Sequence, residues 1–273
     1  MSAVNNTRVV GRALLFFILC IVVLIVTGSI TKPLSFVTAT FVVGAVSSAL
    51  TFMLTWTFTR WDGGPLVEVG AAVTSRSPLR FFTGFVIGMA VLATQVAFLL
   101  VDGHVRWVVG PRLPFGTVVI ALCGFVLLAF REELAFRGYL LFRLNSVWGM
   151  LPAFLCMILI FGLEHFAAGW TPGRALGTIG GAVLFGVAAF ATRGLAVPIG
   201  LHAAFNFGQW ALGLKEAPGI LQPLVDVGYV PHTEAIGYAG YFTGMFLTAA
   251  GLWFLWKPHS ERFAAGADAD LSS

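Results

Sequence analysis

The sequence predicts an all-α membrane protein with about eight transmembrane helices and both termini in the cytoplasm. Hydrophobic residues make up 58% of the 273 residues and charged residues only 10%, whereas soluble proteins carry about 25% charged residues. The mean hydropathy of +0.92 is that of a chain whose main solvent is lipid. The apolar residues fall into separate runs, each close to the ~20 residues that a helix needs to cross a bilayer.

Eight such runs support this count, and Gly, Pro or charged residues separate them. In chain order they cover residues 13–30, 36–59, 81–101, a fourth from 115, a fifth from the turn at Trp148-Gly149 to about 170, 176–192, 195–213 and 238–256. The first run is long for a signal peptide, and no small-x-small cleavage site follows it. We predict loops at 102–114 and 215–234 and a disordered tail at 258–273. No internal repeat or second domain is evident, so residues 1–273 are read as one transmembrane domain.

The distribution of Lys and Arg predicts the orientation. Eleven of the sixteen lie on the side that an even helix count assigns to the termini, and five lie on the other side. Excluding Arg137, which lies among the candidate site residues, leaves ten against five. The positive-inside rule therefore places the termini in the cytoplasm. The net charge of +4 is small and dispersed, so we expect no nucleic-acid partner.

Three short stretches carry polar side chains at membrane depth, where they are costly and usually functional. They are Arg131-Glu132-Glu133-Leu134-Ala135-Phe136-Arg137, Phe161-Gly162-Leu163-Glu164-His165 and His202-Ala203-Ala204-Phe205-Asn206. Glu133 and Arg137 are i,i+4 on a helix, as are His202 and Asn206, so each pair shares a face. The pattern predicts one site built from three helices; the role of Glu164 stays open.

Helix geometry predicts that these stretches meet. Glu133 lies sixteen residues before Gly149 and His165 sixteen after it, so each is roughly 24 Å from that turn. His202 lies eight residues after Gly194, or roughly 12 Å deep. The depths agree if the first hairpin extends about 12 Å beyond the bilayer. We therefore expect a cleft that opens to the cytoplasm beside this hairpin, with Arg131 and Arg143 available to bind a carboxylate or lipid phosphates.

The motifs resemble those of the CPBP family of intramembrane proteases, which includes CaaX prenyl endopeptidases of the Rce1 type. The family pattern is Glu-Glu-x-x-x-Arg, Phe-x-x-x-His and His-x-x-x-Asn or Asp. The matching residues are Glu132, Glu133 and Arg137, then Phe161 and His165, then His202 and Asn206. The resemblance covers about residues 115–213. It implies an integral, multi-pass protein, expected in a bacterial cell membrane, that hydrolyses a peptide bond of a membrane-anchored protein or peptide.

Two chemical versions of this hydrolysis stay open at the sequence level. In the first, Glu132 or Glu133 activates water together with His165, because an apolar site makes a carboxylate a stronger base. His202 and Asn206 then donate hydrogen bonds to the oxyanion. The first Glu of the family motif favours Glu132 as the base. Arg137 holds the second carboxylate in its ionised form.

In the second version, Glu132, His165 and His202 bind zinc with a water as the fourth ligand. We favour the metal-free version, because an Asn is a poor zinc ligand and a good oxyanion donor. The cofactor prediction is therefore none or Zn²⁺, and the oligomeric state is left open.

Two rival classes also contain buried Glu, Arg and His. A proton-coupled transporter uses such groups as relays, although no repeat or pair of broken helices in matching halves is present. A non-catalytic membrane scaffold or immunity protein would retain them without turnover. Peptide cleavage by purified protein distinguishes these classes from a peptidase.

Overall fold

Long apolar helices form most of the structure, a computed structural model that describes residues 3–166, 171–215 and 217–270. The helices are α1 Ala3–Thr31, α2 Phe36–Trp61, α3 Ser77–Asp102, α4 Phe115–Glu132, α5 Leu141–Trp148, α6 Met150–Phe166, α7 Pro172–Thr192, α8 Ala196–Ala211 and α9 Val230–Asp270. A 3₁₀-helix covers Leu66–Val69, and a π-helix, Glu133–Leu140, joins α4 to α5. The strands are β1 Val105–Val109 and β2 Leu221–Val225.

The outer surface of these helices is apolar, as lipid requires. Ile25 is 61% exposed, Leu159 68% and Leu163 70%, and a soluble protein seldom exposes so many large apolar side chains together. Within the described residues, α1 from Asn6, α2, α3 and α7 are long and apolar enough to cross a bilayer, and Met150–His165 is apolar but shorter. The prediction of an all-α membrane protein is confirmed at this level. Eight spans and cytoplasmic termini stay predictions.

Contacts between helix ends define two ends of the bundle. At one end, Arg12 and Arg143 both contact Asp62, at 2.6 and 2.9 Å. The amide of Leu195 donates to the carbonyl of Gly70 at the same end. We call this the termini end, because α1 begins here and α9, antiparallel to α3, runs toward it. We call the opposite end the strand end, because it carries β1 and β2.

The two strands correct the prediction that the all-α fold contains only loops at 102–114 and 215–234. They pair antiparallel, from Val105 opposite Val225 to Val109 opposite Leu221. β-branched and aromatic residues such as Val108 and Trp107 fit a pleated surface better than a helix. A second difference is at the C-terminus, where α9 continues to Asp270. Alanine is frequent there and has the highest helix propensity, although the sequence predicts a tail from residue 258.

Helix α8 lies inside the bundle, with eleven of its sixteen residues buried. Glycines let it approach α3 closely: a Cβ at Gly84 would overlap the carbonyl of Val197, and one at Gly200 that of Phe81. Small residues at a helix contact are a common way for membrane helices to associate. This packing places the polar residues of α8 among other helices rather than against lipid.

Candidate active site

The first motif lies where α4 changes into the π-helix. All eight residues of the π-helix, Glu133–Leu140, are buried, and Gly138 has non-helical backbone angles of φ −83° and ψ −119°. Short π-helical insertions are frequent at functional sites. Apolar periodicity carries no signal for this irregularity, and the sequence predicts an ordinary α-helix here.

An ion pair and a histidine form the centre of the site. Arg137 Nη1 lies 3.3 Å from Glu133 Oε1, and both side chains are fully buried. The predicted i,i+4 pair is therefore present. His202 Nδ1 lies 2.8 Å from the same Glu133 oxygen. Because a carboxylate only accepts, the Nδ1 atom carries the hydrogen.

Aromatic rings enclose this centre. The Arg137 guanidinium lies 4.2 Å from the ring centre of Phe161 and 5.5 Å from that of Phe185. The His202 ring stacks on Phe185 at 4.3 Å. The rings exclude water while their faces attract the cation. The first Phe of the second motif therefore supports the arginine of the first motif.

Glu132 differs from Glu133 in its surroundings. Its side chain is 15% exposed, and its Oε2 atom lies 3.8 Å from His202 Nε2. Among the described residues, Oε2 has no hydrogen-bond partner. Glu132 lines a cavity of about 790 Å³, whereas Glu133 does not. One carboxylate is therefore held by an arginine, and the other faces the cavity.

His165 lines the same cavity from α6. Its Nδ1 atom lies 3.0 Å from the carbonyl oxygen of Phe161 on the same helix. A carbonyl only accepts, so the hydrogen is on Nδ1, and Nε2 of the neutral ring is left as an acceptor. His202 and Asn206 also line the cavity. The structure thus brings four of the six predicted residues to one cavity, and the Glu133–Arg137 ion pair lies behind them, in contact with His202.

A second buried ion pair was missed at the sequence level. Arg131 and Glu164 form a two-point contact, with Nη1–Oε1 2.7 Å and Nη2–Oε2 3.2 Å. Arg131 precedes Glu132, and Glu164 precedes His165. The pair therefore fixes the register of α4 against α6 and places Glu132 and His165 at matching depths in the bundle. Their opposite charges at matched depths on one hairpin were the available signal.

This pairing corrects the prediction that Arg131 and Arg143 are available for a carboxylate or lipid phosphate. Arg131 is 1% exposed and bound to Glu164. Arg143 contacts Asp62 at 2.9 Å and Glu68 at 3.2 Å. Both guanidiniums therefore already have carboxylate partners within the protein.

The predicted zinc ligands Glu132, His165 and His202 line one cavity but are not grouped as a metal site. No group of three His, Cys, Asp or Glu residues in the described part of the chain has the spacing of a metal site. His202 directs Nδ1 to Glu133, and Nε2 remains 3.8 Å from Glu132. Zinc binding by Glu132, His165 and His202 stays a prediction.

The cavity extends to the strand end. The sequence predicted instead a cleft at the termini end, beside the first hairpin. The cavity's far wall is formed by residues where α7 begins and where α8 and the following loop end: Gly173, Arg174, Gly213, Leu214 and Lys215. No lining residue comes from the turn at Trp148-Gly149. Cytoplasmic termini would therefore place the opening on the opposite side of the membrane.

We expect cysteines at cavity positions to react with a membrane-impermeant thiol reagent only from the side opposite the termini. Gln209→Cys and Thr178→Cys line the cavity, and Ser146→Cys is an exposed control at the termini end. The background lacks the three native cysteines. Labelling of Gln209→Cys and Ser146→Cys from one and the same side would contradict the cavity's direction, whichever side the termini occupy.

An apolar helical bundle around a buried Glu–Arg–His cluster defines an integral membrane protein with a polar internal site. Residues 113–208 match the family model described as type II CAAX prenyl endopeptidase Rce1-like. This is the family that the motifs resemble, and all six predicted site residues lie in the matched segment. No curated protein matches the chain.

Proposed function

We propose that the protein is an intramembrane endopeptidase in which Glu132 activates water to cleave a peptide bond of a membrane-associated protein or peptide. One observation carries the assignment of the base. Of two adjacent carboxylates, Glu133 is bound by Arg137 and His202 and does not line the cavity, whereas the Glu132 side chain lines it and is 15% exposed. A general base has to lie within hydrogen-bond reach of the water that it activates.

His165 assists this step from the facing helix. A water between Glu132 and His165 transfers one proton to the carboxylate while its second hydrogen is accepted by Nε2 of the imidazole. The hydrogen bond from Nδ1 to the Phe161 carbonyl keeps Nε2 available for this role. Glu132 then gives its proton to the leaving amine, so the residue returns to its starting state after each turnover.

His202 and Asn206 stabilise the oxyanion. In its protonated form, His202 carries a hydrogen on each ring nitrogen. In that form His202 donates to Glu133 from Nδ1 and has a second N–H, on Nε2, for the oxyanion. Asn206, one turn further along α8, contributes its amide. Donors held in a water-poor site before reaction stabilise developing charge strongly.

The cavity is compatible with a peptide substrate. Its volume of about 790 Å³ lies in the range of roughly 300–1,000 Å³ that is common for small-molecule sites. Aromatic residues such as Phe36, Phe125 and Phe205 line it beside the polar ones. A C-terminal peptide with a lipid anchor has a polar part and an apolar part that match these two kinds of lining residue. We therefore propose a prenylated CaaX-type peptide as the first substrate to test.

The test is cleavage of a fluorescence-quenched farnesylated CaaX peptide by purified protein in liposomes, with the product identified by mass. Removal of the last three residues is the expected result. The same peptide without its farnesyl group measures the dependence on the lipid. A protein that cleaves neither peptide, nor an unprenylated transmembrane peptide, would contradict the proposal in favour of a transporter or scaffold.

Asn206→Ala is expected to reduce kcat by about 10²–10³, because it removes one oxyanion donor. KM should change little, because the oxyanion exists only on the reaction path. Gln209→Ala is the matched control, since Gln209 is an amide on the same helix that lines the same cavity. An effect of Asn206→Ala on KM alone would make Asn206 a substrate-binding residue instead.

A further inference from the structure

Lys215 is a charged residue of the cavity that lies outside the segment matched by the family model. It follows α8 in the loop that leads to β2, and its side chain enters the cavity. Its Nζ atom lies 3.0 Å from Asn206 Oδ1 and 5.8 Å from the ring centre of Phe125. A loop residue is thereby in direct contact with the amide that we assign to the oxyanion.

The chemistry of the two groups decides which way the amide points. An asparagine amide has an acceptor side and a donor side, which exchange when it turns over. A lysine ammonium has three N–H donors and no acceptor. Asn206 must therefore direct Oδ1 to Lys215, and its two Nδ2 hydrogens remain for another oxygen atom.

We propose that Lys215 is a positioning residue that holds the Asn206 amide with its N–H donors directed to the substrate oxyanion. The ammonium also polarises the amide through its carbonyl oxygen, which strengthens the N–H donors, since hydrogen bonds with a charged partner are stronger than neutral ones. This inference rests on the proposed function, because it takes Asn206 as an oxyanion donor.

The charge of Lys215 titrates close to neutrality. Burial lowers the pKa of Lys215 to about 8, the negative charge of Glu132 opposes this shift, and the positive charge of Arg174 adds to it. The other titratable side chains that line the cavity are His165, His202, Tyr238 and Tyr241. Lys215 is therefore mostly charged at pH 7 and mostly neutral at pH 9. A neutral amine can accept as well as donate, so it no longer selects one orientation of the amide.

We expect kcat for the farnesylated peptide to fall as the pH rises through about 8. Lys215→Met should lower kcat at pH 7 by about 10- to 100-fold, the value of one charge-assisted hydrogen bond, with KM unchanged and the alkaline fall absent. Lys215→Arg keeps its charge at all accessible pH values, so its kcat should not fall at alkaline pH either. At pH 7 its kcat should lie between those of Lys215→Met and the wild type. An alkaline fall that persists in both variants would overturn the proposal.

A double-mutant cycle separates this inference from the proposed function. Lys215→Met should have little further effect in an Asn206→Ala background, because both changes remove the same donor. If Asn206→Ala lowers kcat and Lys215→Met does not, Lys215 has no positioning role and the proposed function stands. If Asn206→Ala leaves kcat unchanged, the oxyanion assignment is wrong. An effect of Lys215→Met on KM alone would indicate anion binding and reject positioning.

The contact can also be tested without activity. The chain has three lysines, Lys32, Lys215 and Lys257, so protein labelled with ¹³C,¹⁵N-lysine gives few ammonium signals, and Lys215→Met assigns the one of interest. Asn206→Asp places a carboxylate against the ammonium and should raise its titration midpoint, whereas Asn145→Asp at the termini end should not. An unchanged midpoint in Asn206→Asp would reject the contact on which the inference depends.

Discussion

Glu132→Ala is expected to abolish peptide hydrolysis and to leave the fold intact. Of the two adjacent carboxylates, Glu132 lines the cavity and Glu133 does not, and the change removes the first. It preserves the buried contacts of Glu133 with Arg137 and His202. General-base catalysis contributes about 10²–10⁴ in rate, and Glu132 also returns the proton to the leaving amine. The measurement is turnover of the farnesylated peptide, with thermal unfolding as the check on folding.

The matched control is Glu234→Ala, an exposed glutamate on α9, which should keep wild-type turnover. His165→Ala and His202→Ala should also inactivate the protein, the first by loss of water orientation and the second by loss of an oxyanion donor. Near wild-type turnover in Glu132→Ala would assign the base to another residue. Turnover that survives in all three variants would remove the site from the reaction altogether.

Much of the fold was predictable because lipid imposes simple rules on a chain. The apolar runs at 36–59 and 81–101 correspond to α2, Phe36–Trp61, and α3, Ser77–Asp102. The turn at Trp148-Gly149 lies where α5 ends and α6 begins. The strands were missed because five-residue pairing depends on a partner more than a hundred residues away. Each strand alone resembles a loop between two helices.

The members of the site were predictable from spacing, and their different surroundings were not. The i,i+4 rule predicts the contact of Glu133 with Arg137, which the structure contains at 3.3 Å. Spacing along one helix does not pair Arg131 with Glu164, since that contact depends on the register between two helices; their opposite charges at matched depths on one hairpin were the available signal. The same limit explains Lys215, whose loop has no periodicity and reaches the cavity only through tertiary packing.

The predicted direction of the cleft was wrong for a related reason. Helical rise gives the distance of a residue from a turn, but not which end of the bundle is open. Closure of the termini end depends on side chains, chiefly Asp62, which binds Arg12, Arg143 and the hydroxyl of Tyr139. At the strand end, Gly173 and Gly213 form part of the cavity wall. Neither feature changes the hydropathy pattern from which depths are derived.

Arg137→Met is expected to destabilise the protein by about 3–5 kcal/mol, the usual cost of removing one partner of a buried ion pair. Glu133 and Arg137 are both 0% exposed, so water cannot replace the lost guanidinium. Methionine keeps most of the apolar contact with Phe161, and the effect of charge is therefore isolated. The measurement is the free energy of unfolding in detergent, with Arg80→Met on the exposed surface as the control.

The double variant Glu133→Gln with Arg137→Met shows whether charge is the cause. Removing both charges leaves no uncompensated ion, so most of the lost stability should return, while activity stays low because His202 no longer faces a carboxylate. If the single and double variants are equally unstable, Arg137 acts through packing against the aromatic rings, and the stabilising role assigned here to its charge is wrong.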